Sequence, residues 1–224
     1  MKSLFFLSLL FSAVASRADY TTHFSSPPYV LDQTILGTDG WNDRLLSVKG
    51  DPDSMRVVAV RWNAYKQALM MKGANLKATF EPTKGDKAKI IFDLAFTFPD
   101  RGHLKPFRIG FGGAPCGEFF LDAGPEGGLG FQADGSGRGG VVALKKSELK
   151  INSFYTFVVT LDYARLTYDL SITGQKKDDS PFQHKVEGVA FESKTKSVGF
   201  LYVIADRAVT AYLGSVQVLS EPPL

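Results

Sequence analysis

The stretch "KIIFDLAFTF", residues 89–98, is the most informative about the fold. Ile90, Phe92, Leu94, Phe96 and Phe98 are all apolar, whereas Lys89, Ile91, Asp93, Ala95 and Thr97 are mixed. Successive side chains of a β-strand point to opposite faces, so this pattern describes a strand buried on one side. The same period recurs along the chain. Phe107, Ile109 and Phe111 alternate with Arg108 and Gly110, and Tyr155, Phe157, Val159 and Leu161 alternate with Thr156, Val158 and Thr160. Leu166, Tyr168, Leu170 and Ile172 alternate with Thr167, Asp169, Ser171 and Thr173, and "SVGFLYVIA" and "YLGSVQVL" add two more strands. The short turn "DYAR", residues 162–165, predicts a hairpin between the strands on either side of it. Turn signals fall about every ten residues, the spacing of an all-β sandwich or barrel.

One segment pulls the other way. "NAYKQALMMKG", residues 63–73, has the composition of a helix, with Gly73 where a C-cap would stand. It is short and lies between extended segments, so a strand is expected, with Leu69 and Met71 on one face and Ala68 and Met70 on the other. The glycine-rich stretch 123–140 reads as a long loop holding a short strand, "LGFQA". It opens no helix and lacks the Lys-Ser or Lys-Thr of a phosphate-binding loop.

The chain opens "MKSLFFLSLLFSAVASRADY". A positive start at Lys2, an apolar run from Leu4 to Phe11 and small residues beyond it are the order of an export signal cleaved after Ala15 or Ala18. The run is too short to span a membrane, which takes about 20 apolar residues. The C-terminal "VQVLSEPPL" carries no anchor motif. Residues 1–18 are thus expected to be a signal peptide and 19–224 a single exported domain: extracellular, periplasmic or loosely attached to the cell surface. Roughly 200 residues suffice for one sandwich. Hydrophobic residues make up 44% of the chain and charged ones 22%, which allows a full core, and the single cysteine, Cys116, leaves packing rather than disulfides to stabilise it. Cys116 reads as a small buried hydrophobe or a reactive thiol. The net charge of +3 is spread along the chain without a basic block, so nucleic acid is not an expected partner.

Taken in order, Phe24, Pro27, Pro28 and Tyr29 in "F-x-x-P-P-Y" lead into "LGTDGW", then "QALMMKG", "FYTFVVTLDY…TYDLSITG" and "LGSVQV". This order resembles secreted bacterial members of the concanavalin A-like lectin/glucanase superfamily. The resemblance covers nearly the whole expected mature chain and implies an antiparallel two-sheet β-sandwich of jelly-roll type. Glycosidases of that superfamily carry Glu-x-Asp-x-x-Glu on one strand, and no such match is present. Glu118 and Asp122 share a strand face but stand about 13 Å apart. Retaining chemistry needs carboxyls about 5 Å apart and inverting chemistry about 6.5–9.5 Å. Glu126 lies past a Gly-Pro break. The Gln-Ile-His and Arg-x-Glu-x-Arg motifs of the lyase branch are absent too. His23, His103 and His184 lack metal-ligand spacing, and Ser136 lacks a nucleophile-elbow frame. No cofactor is expected. A structural calcium could draw on "DPDS" at 51–54 with Asp39 and Asp43, although the EF-hand pattern fails there and solvated loop acids are the simpler reading.

In such folds sugars usually rest on exposed aromatic rings flanked by polar groups. The candidates are Trp62, Tyr65 and Trp41, with Arg108 and Asp93 as polar partners. Trp41 has a competing role. Asp39-Gly40 is a tight-turn pair, and a ring just after it can fold back as a lid on the core. Three functions follow, in order of preference. The first is a non-catalytic module binding polysaccharide or another extracellular glycan. The second is a structural protein of the cell envelope, and the third a polysaccharide-degrading enzyme whose catalytic residues escape recognition.

Overall fold

A computed structural model describes residues 18–43, 55–62, 65–97, 107–111, 119–121, 127–132, 140–191, 197–207 and 209–221. Residues 1–17 of the expected signal segment, residues 51–54, His103, Cys116, Glu118, Asp122, Glu126 and Ser136 lie outside them, as does the side chain of Asp43. The described residues form two antiparallel sheets packed as a sandwich. The eight-stranded sheet runs β13 (Pro181–Ala190), β12 (Thr167–Gln175), β11 (Tyr155–Asp162), β6 (Lys87–Thr97), β15 (Thr210–Glu221), β4 (Tyr65–Met71) and β3 (Met55–Trp62). Its eighth strand, β1 (Ala18–His23), pairs with the far half of β15. The seven-stranded sheet runs β10 (Gly140–Lys145), β9 (Gly128–Gln132), β8 (Phe119–Leu121), β7 (Phe107–Phe111), β14 (Phe200–Ala205), β5 (Ala74–Thr79) and β2 (Trp41–Asp43).

Period-two patterning positions these strands. Ile90, Phe92, Leu94 and Phe96 all enter the core from β6, and the Phe92 ring stacks on Phe157 of β11 at 4.6 Å. Across the sandwich Phe92 meets Phe111 and Phe119 at 5.6 and 5.5 Å, joining the two layers. Residues 65–71 form the strand β4, with Leu69 and Met71 in the core. Core burial overrides the helical composition of this segment. "LGFQ" lies in β9, as read from the sequence. The β11–β12 hairpin forms in register from Thr156↔Thr173 to Asp162↔Thr167, and the Asp162 carboxylate accepts from the backbone N–H groups of Ala164 and Arg165 in the turn. Leu166 departs from the expectation. It belongs to that turn, with φ 54°, and is 44% exposed, so the inward set begins at Tyr168.

The turn Thr38–Trp41 delivers a core residue. Asp39 and Gly40 take φ of 50° and 78°, the positive pair that a type I′ turn requires, and Trp41 N–H donates to the Thr38 carbonyl at 2.9 Å. A Cβ on Gly40 would lie 2.3 Å from the Thr79 carbonyl oxygen, so no larger residue fits. Trp41 then pairs with Ala78, is 0% exposed and packs against Phe24 at 5.9 Å. It is a lid on the core.

Candidate functional site

The outward face of the eight-stranded sheet changes character along β6. Lys89 and Ile91 are partly exposed, yet Asp93 is only 9% exposed and Ala95 is fully covered, although both belong to the outward-facing set. The cover is the end of the β3–β4 hairpin. The pairing of β3 with β4 slips between Ala59 and Trp62, and beyond that irregularity Trp62 and Tyr65 lie over β15 and β6. A second irregularity receives them. Leu213 and Val216 both face the core, so Gly214 and Ser215 stand between them where strict alternation would place one residue. A Cβ on Gly214 would come within 2.7 Å of the Tyr65 ring, so the glycine is what lets that ring lie against the strand.

Beneath the ring is a polar knot. Tyr65 donates its hydroxyl proton toward Asp93 Oδ2 at 2.6 Å and lies 2.9 Å from Ser215 Oγ, which itself donates to Asp93 Oδ2 at 2.7 Å. Thr156, directly opposite Asp93 on β11, donates to Oδ1. Burial pushes the Tyr65 hydroxyl well above the ordinary tyrosine range, and the hydrogen bond to the Asp93 carboxylate and its charge add to this. Tyr65 therefore keeps its proton at neutral pH.

Around the knot stands a small aromatic cluster separate from the main core. Buried Phe154 contacts Tyr65 at 4.6 Å and Trp62 at 6.2 Å, and Trp62 meets Tyr212 edge-on at 4.6 Å. Trp62, Tyr65 and Tyr212 are partly exposed. From this aromatic wall hydroxyl and amide groups run across neighbouring strands. Thr156 pairs with Thr173 and Thr173 with Gln183, while Val158 pairs with Ser171 on the next row. Strands lie about 4.8 Å apart, a spacing on the scale of a sugar ring's hydroxyls.

Of the candidates read from the sequence, Trp62, Tyr65 and Asp93 thus come together. Asp93 serves the site from below, as a nearly buried acceptor. Trp41 is in the core and takes no part in a surface platform. Arg108 stands on β7 of the other sheet, opposite Phe120 and Ile204, away from this face. The sequence reading did not single out Phe154, Tyr212 or Ser215. The Gly214-Ser215 pair inside an apolar strand was the available signal, because such a pair marks a bulge.

For calcium, Asp39 has its Oδ2 engaged by the Tyr29 hydroxyl at 2.8 Å. Among the described residues no three metal-ligating side chains gather. His23 on β1 and His184 on β13 lie on strands with β15, β6, β11 and β12 between them. A pocket of about 360 Å³ lies elsewhere, lined by Ser147, Glu148, Lys176, Lys177 and Asp178. There Lys176 is bound to Glu148 at 2.7 Å. No described helix is long and apolar enough to cross a membrane.

No protein-family model matches the chain, and no curated protein matches its sequence. Solved structures do match. The marine PL-14 alginate lyase from Aplysia kurodai is similar at a TM-score of 0.56 and 12% identity, over 92% of this chain and 100% of that one. A carbohydrate esterase of the Shiga toxin-encoding bacteriophage phi24B matches at 0.53 and 10% identity, over 92% and 100%. Peanut lectin matches at 0.52 and 10%, over 90% and 97%. At such identities the likeness speaks for the fold alone, and the fold is that of the concanavalin A-like jelly rolls.

Proposed function

We propose that the protein is an exported, non-catalytic jelly-roll module that binds carbohydrate on the outward face of its eight-stranded sheet. One observation carries the reading: the partly exposed Trp62 and Tyr65 rings stand as a wall beside the Thr156–Thr173–Gln183 row. Rings that present an apolar face next to ordered hydrogen-bonding groups suit the alternating apolar and hydroxyl surfaces of a sugar. The similar folds belong to proteins whose names concern carbohydrate: a lyase, an esterase and a lectin.

The chemistry of the knot supports binding over catalysis. A tyrosine held protonated is a poor base at neutral pH, and the Asp93 carboxylate beside it is nearly buried and occupied by three hydroxyl donors. The test is incubation with a panel of neutral and acidic polysaccharides. It scores protein depleted onto the glycan and, separately, new reducing or unsaturated ends. Depletion that Trp62→Ala abolishes, without new ends, is the expected result. New ends from the wild-type protein would replace this reading with an enzymatic one.

A further inference from the structure

We infer that the ligand meets this face through neutral sugar hydroxyls acting as donors, because Asp93 draws the hydroxyl protons of Tyr65, Ser215 and Thr156 inward. The inference rests on the carbohydrate-binding reading above and names the ligand class of the same site.

The argument is a count of protons. A carboxylate has two acceptor oxygens and nothing to donate, while each hydroxyl has one proton and two lone pairs. Three hydroxyls surround Asp93 within hydrogen-bond reach. Tyr65 and Ser215 also touch each other, so their protons can run in parallel to Asp93 or in series through one another. Either way all three protons stay inside the knot. Ser215 is buried, and Tyr65 and Thr156 are the two members partly open to solvent. With their protons held inward, what these two hydroxyls can offer a ligand is lone pairs.

A sugar hydroxyl can donate to such a surface. A uronate carboxylate or a sulfate ester has no proton to give and brings a second negative charge towards Asp93, a like-charge approach that is penalised. Among the described residues the cations of this face do not offset that: Arg61 and Lys66, beside the two rings, are exposed, where water and salt screen them. Lys185 is paired with Glu187. Lys89 stands four residues back along β6, about 13 Å from Asp93, and Arg56 is on the edge strand β3, opposite Met70. Thr173 and Gln183, farther along the row, can donate or accept and impose no sign.

Two measurements test this. The first needs no ligand: hydroxyl-proton exchange at Tyr65 and Thr156, read by NMR in wild type and in Asp93→Asn. Slow exchange in wild type and fast exchange of at least one proton in the variant are expected, because the asparagine amide donates to one hydroxyl and releases its proton outward. Fast exchange at both positions in wild type would overturn the inference.

The second is affinity for neutral hexaoses of glucose, galactose and mannose against the matched glucuronate, galacturonate and mannuronate hexaoses at fixed salt. Wild type should favour the neutral member by at least about tenfold, the scale of one polar group left unmatched, and Asp93→Asn should narrow that ratio. Uronates bound as tightly as neutral sugars, or an unchanged ratio in the variant, would refute the ligand class while leaving carbohydrate binding standing. Failure of every sugar to bind would remove the carbohydrate reading and this inference with it. Should Asp93→Asn not fold, Thr156→Val keeps the shape and removes one outward acceptor. It should weaken the neutral sugars and leave the uronates unchanged, and equal loss on both would count against the inference.

Discussion

Replacing Trp41 by alanine should cost about 3–5 kcal/mol of stability and leave glycan binding intact. The magnitude follows from its place in the fold. The ring is 0% exposed and packs on Phe24 at 5.9 Å. A tryptophan side chain buries about 150–250 Å², which at about 25 cal/mol per Å² is about 4–6 kcal/mol. That is an upper bound, because the unfolded chain already hides part of its apolar surface. Measured Trp→Ala losses in cores of about 3–5 kcal/mol bracket the same value. Domains have about 5–15 kcal/mol in total, so the variant should remain folded with a reduced margin. The assay is urea unfolding followed by far-ultraviolet circular dichroism. With an m-value of about 2.5 kcal/mol/M, the midpoint should fall by about 1.5 M at unchanged slope. A loss below about 1 kcal/mol would refute the placement of Trp41 in the core. The chain has two tryptophans, so the comparison with Trp62→Ala is direct. That variant should lose about 1 kcal/mol or less and most of its binding.

Gly40→Ala should destabilise the fold by more than about 2 kcal/mol, since the left-handed backbone costs about 1–2 kcal/mol and the new Cβ would stand 2.3 Å from the Thr79 carbonyl. A thermal melt matching wild type would show that the turn can open without cost. Gly214→Ala should leave the sandwich folded but lift the Tyr65 ring, so glycan affinity falls and Tyr65 ionises at lower pH than in wild type; an unaltered Tyr65 titration would sink this account of the bulge. At high pH, burial holds Tyr20, Tyr29 and Tyr65 above the ordinary tyrosine range and pushes Tyr155 up to about 12. Folded values above the unfolded value of about 10 mean that the stability they lend is complete below about pH 10 and is lost as pH rises towards their folded values. Tyrosinate absorbance and the urea midpoint followed from pH 8 upward should therefore change together beyond about pH 10. Ionisation of all eight tyrosines near pH 10 with the fold intact would contradict this.

The sequence by itself carried the sandwich, because the information for a half-buried strand is local. Ile90, Phe92, Leu94 and Phe96 share a face whatever lies opposite them, and Asp39-Gly40 demands a tight turn from its own backbone geometry. Even the helical composition of residues 65–71 gave way to extended neighbours in the reading, as it does in the structure. The edge strand β13 was not picked out for the converse reason: among the described residues it pairs on one side only and is mostly exposed, and its alternation of Phe182, His184 and Val186 with Gln183, Lys185 and Glu187 has little apolar contrast. The candidate site was legible only in pieces. Trp62, Tyr65 and Asp93 could each be named, but Tyr65 and Ser215 are 150 residues apart and meet only because β4 and β15 are neighbours and a bulge places Gly214 under the ring. The same sequence logic offered Trp41 and Arg108 equally. What separated them was which layer and which face each strand occupies. That is a property of long-range pairing between strands, and the period of a single strand does not contain it.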